Sequence, residues 1–545
     1  MPEPVLTGPG WPARDSGHLL VTGEQMAALE QQLFASGLPV EALMEKAALA
    51  VCRAMQADWG PRLQRHGAVV LVGPGHNGGD GLVIARELHL AGIRTAIWSP
   101  YERHKPLTAA HLRHALWLGI ERLQQSPDPT AESLWIDALF GIGQRCPLDD
   151  ASATLLRQRQ QQRPAALVAI DVPSGLDDTT GRCLGQTCAQ AATTYCIGLI
   201  KQGLVQEPAL AAVGRLQRIE LGLPQALLTT LEHGTPLGLT AADGPRAPWP
   251  MLDPAAGKYA RGRLLVIAGS EAYRGAAHLA LLGASASGAG SLRAALADAQ
   301  ADALWHLLPH VVLQRRLRCD TGGSLLLAQL ASADLERLDA VLLGPGLGPL
   351  PATAAEQGAW ELLQGFRGLL VLDADGLNRT TVAWLQGRHG PTWITPHQGE
   401  LRRLWPDLAD LPPLEAAGRA AADSGAAVLL KGAHSVIAAP DGRRWQLLAS
   451  APDSARAGLG DVLAGYAAGR GAQALAGRPG MQADGAWLAA AALDHAAAGL
   501  EAVARQGPGG ASPPQVAQAL GQRRWNQTGP GPTGADNENN ETCKC

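Results

Sequence analysis

Several features that mark nucleic-acid-binding, membrane or secreted proteins are missing from this sequence. The 45 Lys and Arg residues are outnumbered by 49 Asp and Glu, and the formal net charge is -4. That balance argues against a basic nucleic-acid footprint and gives no electrostatic reason to favour a membrane surface. No apolar run is long and clean enough to span a bilayer, and the first residues lack a basic-then-apolar signal pattern. We therefore expect a cytoplasmic protein with small-molecule partners, binding no nucleic acid and no membrane.

Cysteines and aromatic residues are also scarce. The eight cysteines show no framework spacing. Cys183, Cys188 and Cys196 lack the paired short spacings of a zinc site, so we expect buried free thiols. With only three Phe and five Tyr, the cores must be filled by Leu, Val and Ala. At 545 residues the chain is too long for one hydrophobic core, which predicts two domains.

Short apolar runs alternate with Ala-rich stretches in two blocks, a pattern typical of α/β units around a largely parallel sheet. In the first block the predicted strands are 68–72, 94–98, 134–137, 167–171 and 193–197. In the second block they include 264–268, 340–343, 369–373, 393–395 and 428–431.

Composition divides the chain further. Residues 1–18 are an N-terminal extension, 19–228 the first domain and 253–506 the second domain. Residues 229–252 are rich in Gly, Pro, Thr and Asp, which predicts a linker. Residues 507–545 are rich in Gly, Pro, Asn and Gln, and we expect this tail to be disordered because it has little to bury.

A glycine-rich segment, GPGHNGGDG (73–81), follows the first predicted strand and precedes a helix. Such a segment can bring backbone N–H groups and a helix N-terminus to a phosphate, but it can also be a structural turn. A Rossmann dinucleotide fingerprint is a third reading, although the acidic residue expected after the next strand is missing. Asn77 and Asp80 among the glycines suggest oxygen ligands as well as phosphate contacts.

Two carboxylates close later strands of this block. Asp137 and Asp171 each stand at a predicted carboxyl end, where the binding crevices of parallel sheets open. Singly, each is as well explained as a helix or turn cap. Together with Asn77 and Ser174 they favour a shared site, and their hard oxygens, without a carboxylate cluster, favour a monovalent cation over a divalent one.

The second block contains ARAGLGDVLAGYAAG (455–469), in which Gly458, Gly460 and Asp461 precede an apolar helical run. Fixed N–H donors beside a carboxylate are what phosphoryl transfer needs, although an N-capping Asp after a glycine turn is equally compatible. Three further segments favour the phosphoryl-transfer reading. They are ITPHQGELRRL (394–404), LLKGAHSVIAAPDG (429–442) and the glycine turn LLGPGLG (342–348).

The first block resembles the epimerase domain of NAD(P)H-hydrate repair enzymes. The resemblance is carried by LMEKAA (43–48), GPGHNGGDGLVIAR (73–86), DALFGIG (137–143), DVPSGLDDTTG (171–181) and Lys201. It implies a Rossmann-like three-layer sandwich, a potassium ion held by Asn77, Asp137 and Ser174, and a catalytic Asp171. It also implies contacts to the hydrated cofactor from His76, Asn77, Gly78, Gly79, Asp80, Gly141, Ile142, Gly143, Gln144, Arg145, Cys146, Pro147 and Asp171.

The second block resembles the ADP- or ATP-dependent NAD(P)H-hydrate dehydratase domain, which has a ribokinase-like fold. GSEAYRGAAHLA (269–280) and LDADGLN (372–378) complete that resemblance. It implies cofactor contacts from Ala276, Gly346, His397 and Asp461, with Asp461 as the catalytic base. The nucleotide, with magnesium, would meet Lys431, Gly432, Ala433, His434, Ser435 and Gly460.

Five positions depart from the family pattern. His76 replaces the usual Asn, Ala48 replaces Gly, and His310 replaces Glu after a proline; Ala457 and Leu459 replace two residues before Gly460. We expect the Ala48 change to affect helix packing, and the His76 and His310 changes to affect contacts at the sites.

The expected function is epimerisation of R- and S-NAD(P)HX at C6, followed by phosphorylation of the S form and elimination of phosphate. Two alternative functions of different classes stay open: a ribokinase-type small-molecule kinase with an inactive partner domain, and a non-catalytic scaffold. The choice between ADP and ATP stays open, and a homo-oligomer is expected.

Overall fold

The computed structural model describes residues 10–251, 253–349, 356–449, 451–478, 481–507 and 509–523. Two α/β units follow one another along the chain, each built on its own sheet. Every strand that the sequence predicts is present, and its observed ends differ from the predicted ends by no more than one residue. The predicted α/β class is confirmed.

The first unit is built on a seven-stranded sheet of order β4-β3-β2-β5-β6-β7-β9, in which all neighbouring strands run parallel. A short pair, β1 and β8, lies beside it. The elements are β1 (Leu20–Val21), α1 (Gly23–Ala35), α2 (Val40–His66), β2 (Ala68–Val72), α3 (His76–Leu90), β3 (Thr95–Trp98), α4 (Pro106–Trp117), β4 (Glu121–Arg122), β5 (Leu134–Ala138), α5 (Asp150–Gln162), β6 (Leu167–Ile170), β7 (Thr193–Ile197), β8 (Ile200–Lys201), α6 (Leu210–Val213), β9 (Arg215–Ile219) and α7 (Gln225–Leu228).

The second unit is built on a ten-stranded sheet of order β10-β19-β18-β17-β16-β15-β14-β11-β12-β13, which is parallel except along β17, β18 and β19. Its elements are β10 (Leu237–Leu239), β11 (Arg263–Ile267), α8 (Arg274–Ala286), β12 (Ser291–Ala297), α9 (Asp298–Leu307), β13 (Val312–Leu317), α10 (Ser332–Leu335), β14 (Ala340–Leu343), α11 (Glu356–Gly365), β15 (Leu369–Leu372), α12 (Asp375–Asn378), α13 (Val382–Gln386), β16 (Thr392–Ile394), α14 (Gln398–Leu404), α15 (Pro413–Ser424), β17 (Ala427–Leu430), β18 (Val436–Ala438), β19 (Arg444–Leu447), α16 (Leu459–Leu475), α17 (Gly485–Gln506) and α18 (Pro513–Gln522).

Burial on both faces explains the composition of the central strands. β2, β5, β6 and β7 are buried at every residue, as are β14 and β15 of the second sheet. Helices cover both faces of a parallel sheet, so such strands are continuous apolar runs rather than alternating ones. This is why short runs such as AVVLV could be recognised in the sequence. The polar residues that follow them lie at the carboxyl edge of each sheet.

The predicted linker at 229–252 is wrong in part. Its residues Leu237–Leu239 form β10, which pairs in parallel with β19 at the edge of the second sheet, and residues 241–246 form a 3-10 turn. The segment is rich in Gly and Pro as a whole, so its composition gave no sign of a strand. Three residues are nevertheless enough to pair with the exposed edge of a sheet.

The predicted disorder of the tail is also wrong for its first part. Residues Pro513–Gln522 form α18, which buries Val516, Ala517, Ala519 and Leu520. Ser512 starts this helix with a capping box to Gln515. A narrow apolar stripe on a short helix is enough to dock against the core, even where the average composition is polar. The remainder of the tail, 524–545, lies outside the described residues.

The prediction of free thiols is wrong for Cys183 and Cys188, which form a disulfide across a turn of the first unit. A separation of five residues is no recognisable framework, and only the folding of the turn brings the two sulfur atoms together. Cys196 is a buried free thiol, as predicted, and Cys52 is another. Within the described part of the chain, no helix combines the length and apolar character that crossing a membrane requires.

Candidate active sites

The glycine-rich segment of the first unit is more helical than its sequence suggests. Helix α3 begins at His76, so Asn77, Gly78 and Asp80 belong to its first turns and only 73–75 form a loop. A Cβ atom on Gly78 would overlap the carbonyl oxygen of Gly73. Glycine therefore serves here to fold the helix closely over the turn, which leaves the N-terminus of α3 at the carboxyl edge of the sheet.

Asp171 occupies the edge of the same sheet in a left-handed conformation, with φ of 66°. Its Oδ1 accepts hydrogen bonds from Lys201 Nζ and from the Ile197 backbone N–H, the latter at 3.1 Å. Lys201 also donates to the carbonyl of Ile197 at 2.6 Å, and its side chain is only 1% exposed. Burial alone would lower the pKa of Lys201, but the charge of Asp171, the hydrogen bond to Asp171 and the nearby Cys196 and Glu30 together outweigh burial and raise that pKa. A non-glycine residue in this backbone region is a strained feature of the kind found at functional sites.

A small cavity of about 70 Å³ adjoins this ion pair, and two carboxyl groups line it. They are Asp80 of α3 and Glu30 of α1, with His76 nearby and an apolar wall that includes Met44 and Leu221. Burial raises the pKa of Glu30 to about 7, with Lys201 opposing the shift. Burial, followed by the charges of Asp171 and Glu30, raises the pKa of Asp80 well above its usual value. The cavity therefore contains two carboxyl groups with raised pKa values, of which Glu30 is suited to proton transfer near neutral pH, and it adjoins the ion-paired Asp171.

The three residues expected to hold a cation lie at the same edge. Asp137 accepts hydrogen bonds from the Ser174 hydroxyl at 2.7 Å and from the Ser174 backbone N–H at 2.8 Å. Burial raises the pKa of Asp137 to about 6, against these hydrogen bonds. The side-chain Nδ2 atom of Asn77 is buried without a hydrogen-bond partner. A Cβ atom on Gly141 would stand 3.3 Å from Asn77 Oδ1 and from Asp171 Oδ2, which shows how closely these groups approach.

The segment from Gly141 to Pro147 is only partly directed toward this cavity. Gly141 is close to Asn77 and Asp171, and Ile142 packs against the apolar core. The next residues are bound elsewhere: Gly143 N–H donates to Asp178 at 2.8 Å, and Gln144 accepts from the Gly175 N–H at 2.8 Å. Arg145 forms an exposed ion pair with Glu24 at 3.0 Å, Cys146 is exposed, and Pro147 packs against Gly185.

In the second unit, Gly460 and Asp461 lie in the first turn of α16, after Gly458 in the left-handed region with φ of 93°. Lys431 Nζ pairs with Asp373 Oδ1 at 2.7 Å, and a Cβ atom on Gly460 would stand 3.4 Å from the same Nζ. Burial, and then the charge of Asp373, raises the pKa of Asp461 to about 7, while Lys431 opposes the shift. A carboxylate at a helix N-terminus beside a lysine is thus placed to accept a proton near neutral pH.

His397 connects the next segment to this cluster. It forms a parallel bridge with Lys431 through the backbone, and its Nδ1 caps α14 by accepting from the N–H groups of Gly399 at 2.9 Å and Glu400 at 3.2 Å. Its side chain nevertheless stays 59% exposed, and its Nε2 lies 3.4 Å from Glu400 Oε1. The capping role considered from the sequence is therefore present, on a ring that is also partly exposed to solvent.

Ala276 and Gly346 are direct neighbours. Gly346 has φ of 63°, and a Cβ atom there would stand 2.7 Å from the Cβ of Ala276.

His310, in contrast, bonds at 2.9 Å to Ser285, which lies nine residues after Ala276 on α8. At 1.5 Å per residue this separation is about 13 Å, so His310 lies toward the opposite end of the helix. The expected effect of His310 on a contact at this site finds no support in its position. Ala48 is fully buried in α2, where it contributes to helix packing.

The loop that follows Lys431 turns toward the first unit. Ser435 closes it by donating to the Gly432 carbonyl at 3.0 Å. The Ala433 N–H donates to Glu207 of the first unit, and the ring of His434 bonds to the carbonyl of Val205 at 2.9 Å. Lys431 and Gly460 therefore lie together, whereas Ala433 and His434 contact a different domain.

Three residues of these sites were missed by the sequence analysis. Asp373 stands in LDADGLN, and its position after a strand was a usable signal. Glu30 carries no local signal, since an acidic residue in the middle of an amphipathic helix is usually a solvated one. Glu207 follows no motif, and only the packing of the two units brings it to the loop at 432–435.

Comparisons with known proteins agree with this division into two sites. Residues 264–522 match the family model described as NAD(P)H-hydrate dehydratase, and residues 40–203 match the one described as YjeF-related protein N-terminus. A protein of Gloeobacter violaceus named bifunctional NAD(P)H-hydrate repair enzyme Nnr is 41% identical over 498 residues, which cover 89% of this chain and 95% of the relative. A protein of the same name from Synechocystis is 39% identical and covers 83% of this chain and 85% of its own.

Solved structures similar to the chain include an ADP/ATP-dependent NAD(P)H-hydrate dehydratase of Bacillus subtilis, co-crystallised with ATP and Mg²⁺. It is 25% identical with a TM-score of 0.42, and the match covers 52% of this chain and 95% of that one. A ribokinase-like superfamily protein of Enterococcus faecalis is 23% identical with a TM-score of 0.43, covering 53% and 95%. The identity and coverage of the two full-length relatives establish the family: the chain belongs to the bifunctional NAD(P)H-hydrate repair enzymes.

Proposed function

We propose that this chain repairs hydrated nicotinamide cofactors in two steps on two sites. The first unit interconverts the R and S forms of NADHX and NADPHX at C6. The second unit phosphorylates the C6 hydroxyl of the S form at the expense of ADP or ATP, and phosphate elimination restores NADH or NADPH. The observation that carries the proposal is the presence, in one chain of this family, of two separate carboxylate sites with different surroundings.

In the first site, exchange of the configuration at C6 needs groups that give and take a proton. Asp171 is fixed by Lys201 and the Ile197 N–H, so its free Oδ2 has a defined direction. Glu30 and Asp80 line the adjoining cavity, and burial raises the pKa of both. The pKa of Glu30 is raised to about 7, so its carboxyl group can give and take a proton near neutral pH. The apolar wall limits access of water to the reacting ring.

In the second site, Asp461 takes the proton from the C6 hydroxyl as the terminal phosphate approaches. Lys431 and the N–H groups at the start of α16 face the charge that develops on the phosphate. Phosphate then leaves more readily than hydroxide would, which is the chemical reason for spending a nucleotide on this step.

Magnesium fits this donor set as a companion of the nucleotide. The described residues contain no cluster of three or more His, Cys, Asp or Glu side chains able to hold a metal ion. Mg²⁺ bound with a nucleotide usually relies on one or two carboxylates and the phosphates themselves. Asp373 is the residue that would hold it, through the Oδ2 atom that Lys431 and Thr395 leave free. When bound, the ion would neutralise charge on the phosphates.

The direct test starts from a mixture of R- and S-NADHX with ADP or ATP and follows NADH by absorbance. We expect full conversion by the wild-type protein. The Asp461→Asn variant should form almost no NADH, and Asp171→Asn should stop near the S fraction except for slow spontaneous exchange. Accumulation of a stable phosphate ester without NADH would contradict the proposal.

Potassium at the first site is part of the proposal. An amide, one carboxylate and a hydroxyl supply oxygens with little total charge. The Nδ2 atom of Asn77 is buried without a hydrogen-bond partner, and exchanging the amide O and N would place an oxygen ligand at that position. We expect epimer exchange to be faster in KCl than in LiCl of equal ionic strength. The Asp137→Asn variant should respond equally to both salts; retention of the potassium response would exclude these ligands.

We also propose a cytoplasmic location and a homo-oligomeric state for this chain. Cell fractionation and light scattering test them.

A further inference from the structure

A cavity of about 200 Å³ lies between the two units, next to the loop at 432–435. The first unit contributes Gln206 and Glu207 to its lining, and the second contributes Lys431, Gly432 and His434. Leu411 and Pro412 supply part of an apolar wall. The cavity therefore opens beside the residue that pairs with Asp373, but half of its polar lining comes from the other domain.

The contacts that form this cavity are specific. Gln206 and Gln446 are buried and bond to each other at 3.0 Å, and Gln446 also donates to the carbonyl of Val205 at 3.1 Å. Glu207 Oε1 accepts from the Ala433 N–H and occupies the space that a side chain on residue 432 would need. Glycine at 432 thus permits the carboxylate of the first unit to reach the loop of the second.

Glu207 retains acceptor capacity toward the cavity. A carboxylate carries two oxygens and about four lone-pair directions, whereas the structure assigns Glu207 one donor, the Ala433 N–H. In dinucleotide-binding folds, a carboxylate beside the nucleotide accepts a hydrogen bond from a ribose hydroxyl, and Glu207 offers the same chemistry here. The volume is below the roughly 300–1,000 Å³ of pockets that enclose a whole ligand, so the cavity suits one part of a nucleotide rather than all of it.

The positive groups indicate where the phosphates of that nucleotide would bind. Lys431 and the N-terminus of α16 are the positive features of the second site. Lys431 also lines the cavity, together with Arg182 of the first unit. Phosphates bound between Lys431 and Gly460 would leave the nucleoside end of the nucleotide to extend along the cavity toward Glu207.

We propose that Glu207 of the first unit is a ligand of the nucleotide in the second unit, where its carboxylate accepts hydrogen bonds from the ribose hydroxyls. The inference rests on the proposed function and deepens it, because it makes the nucleotide site complete only when both domains are present. The fusion of the two domains would then have a structural role, because one domain would complete the nucleotide site of the other.

The test compares ADP with 2′,3′-dideoxy-ADP, or the ATP pair if ATP is the better substrate, using full-length protein and S-NADHX. The wild-type protein should show a KM for the dideoxy nucleotide about tenfold or more above that for ADP, as expected for hydrogen bonds to a charged group. Glu207→Ala should abolish this preference by raising the KM for ADP. Glu207→Gln keeps an acceptor for the Ala433 N–H and should lower the preference while leaving the KM for dideoxy-ADP unchanged.

Glu121→Ala is the matched control, because Glu121 is an exposed residue on β4 at the far edge of the first sheet. It should keep the wild-type preference. A wild-type protein without preference, or a preference that survives in Glu207→Ala because both KM values rise equally, overturns the inference. Absence of NADH formation from S-NADHX by the wild-type protein with either nucleotide would instead overturn the proposed function itself.

Discussion

The two sites use the same pair of residue types in opposite ways. In the first, Lys201 is 1% exposed and pairs with Asp171, the proposed catalytic carboxylate itself. In the second, Lys431 is 21% exposed and pairs with Asp373, which leaves Asp461 beside the pair with a pKa raised to about 7. A lysine can therefore pair with the reacting carboxylate and hold it in place. Alternatively, it can pair with a neighbouring carboxylate, so that the unpaired one is left to accept a proton.

The largest expected effect tests the unpaired carboxylate. Asp461→Asn retains the size of the side chain and the turn, but the amide accepts no proton at neutral pH. Removal of a general base costs on the order of 10²–10⁴ in rate. NADH formation from S-NADHX measures this loss, with calorimetry of nucleotide binding as the control. Activity within a few-fold of the wild type would show that Asp461 acts only as a residue of the helix N-terminus.

The difference in burial between the two lysines predicts a difference in stability. Lys201→Met leaves Asp171 without its cation in a buried position, a change that typically costs about 3–5 kcal/mol. Lys431→Met should cost less, about 1–3 kcal/mol, since Lys431 is 21% exposed and water can partly replace it, while Asp373 keeps the hydroxyl of Thr395 at 2.8 Å. Urea unfolding of the two variants, followed by circular dichroism, gives the comparison. Equal losses of unfolding free energy in the two variants would mean that the different exposure of the two lysines does not affect stability.

The pH dependence of dehydration should report Asp461. Its pKa is raised to about 7, and only the deprotonated form accepts the hydroxyl proton. The rate with saturating S-NADHX should therefore fall about tenfold per pH unit below that value and level off above it. The residual rate of Asp461→Asn should not show this fall at low pH. If the fall persists in the variant, the titration of another group determines the pH dependence of the rate.

The smallest effect concerns His397, which has both a capping role and a partly exposed ring whose Nε2 lies near Glu400. His397→Ala removes the cap of α14 and should lower stability by about 1 kcal/mol. His397→Asn should restore most of this stability, because Asn is a good N-cap residue. Both variants should nevertheless share a raised KM for S-NADHX if Nε2 contacts the substrate. If His397→Asn restores both the KM for S-NADHX and the stability, His397 acts only as the cap of α14.

Recognition of the strands depended on local patterns. The runs ending at Asp137 and Asp171 could be predicted because strands covered on both faces are continuously apolar, and a carboxylate after such a run is conspicuous. The relatives confirm the family that was suggested by these motifs. Errors arose where averages hid short features: β10 inside the Gly- and Pro-rich segment, α18 inside the polar tail, and the pairing of Cys183 with Cys188.

The sequence by itself determined the two α/β blocks, the glycine turns and the carboxylates at strand ends, since each depends on residues within about ten positions of one another. Tertiary structure alone decided which charges meet. Glu30 reaches Asp80 from a preceding helix, Lys431 meets Asp373 across 58 residues, and Glu207 reaches Ala433 across 226. Electrostatic interactions depend on distance in space and on burial, and neither quantity is encoded by spacing along the chain.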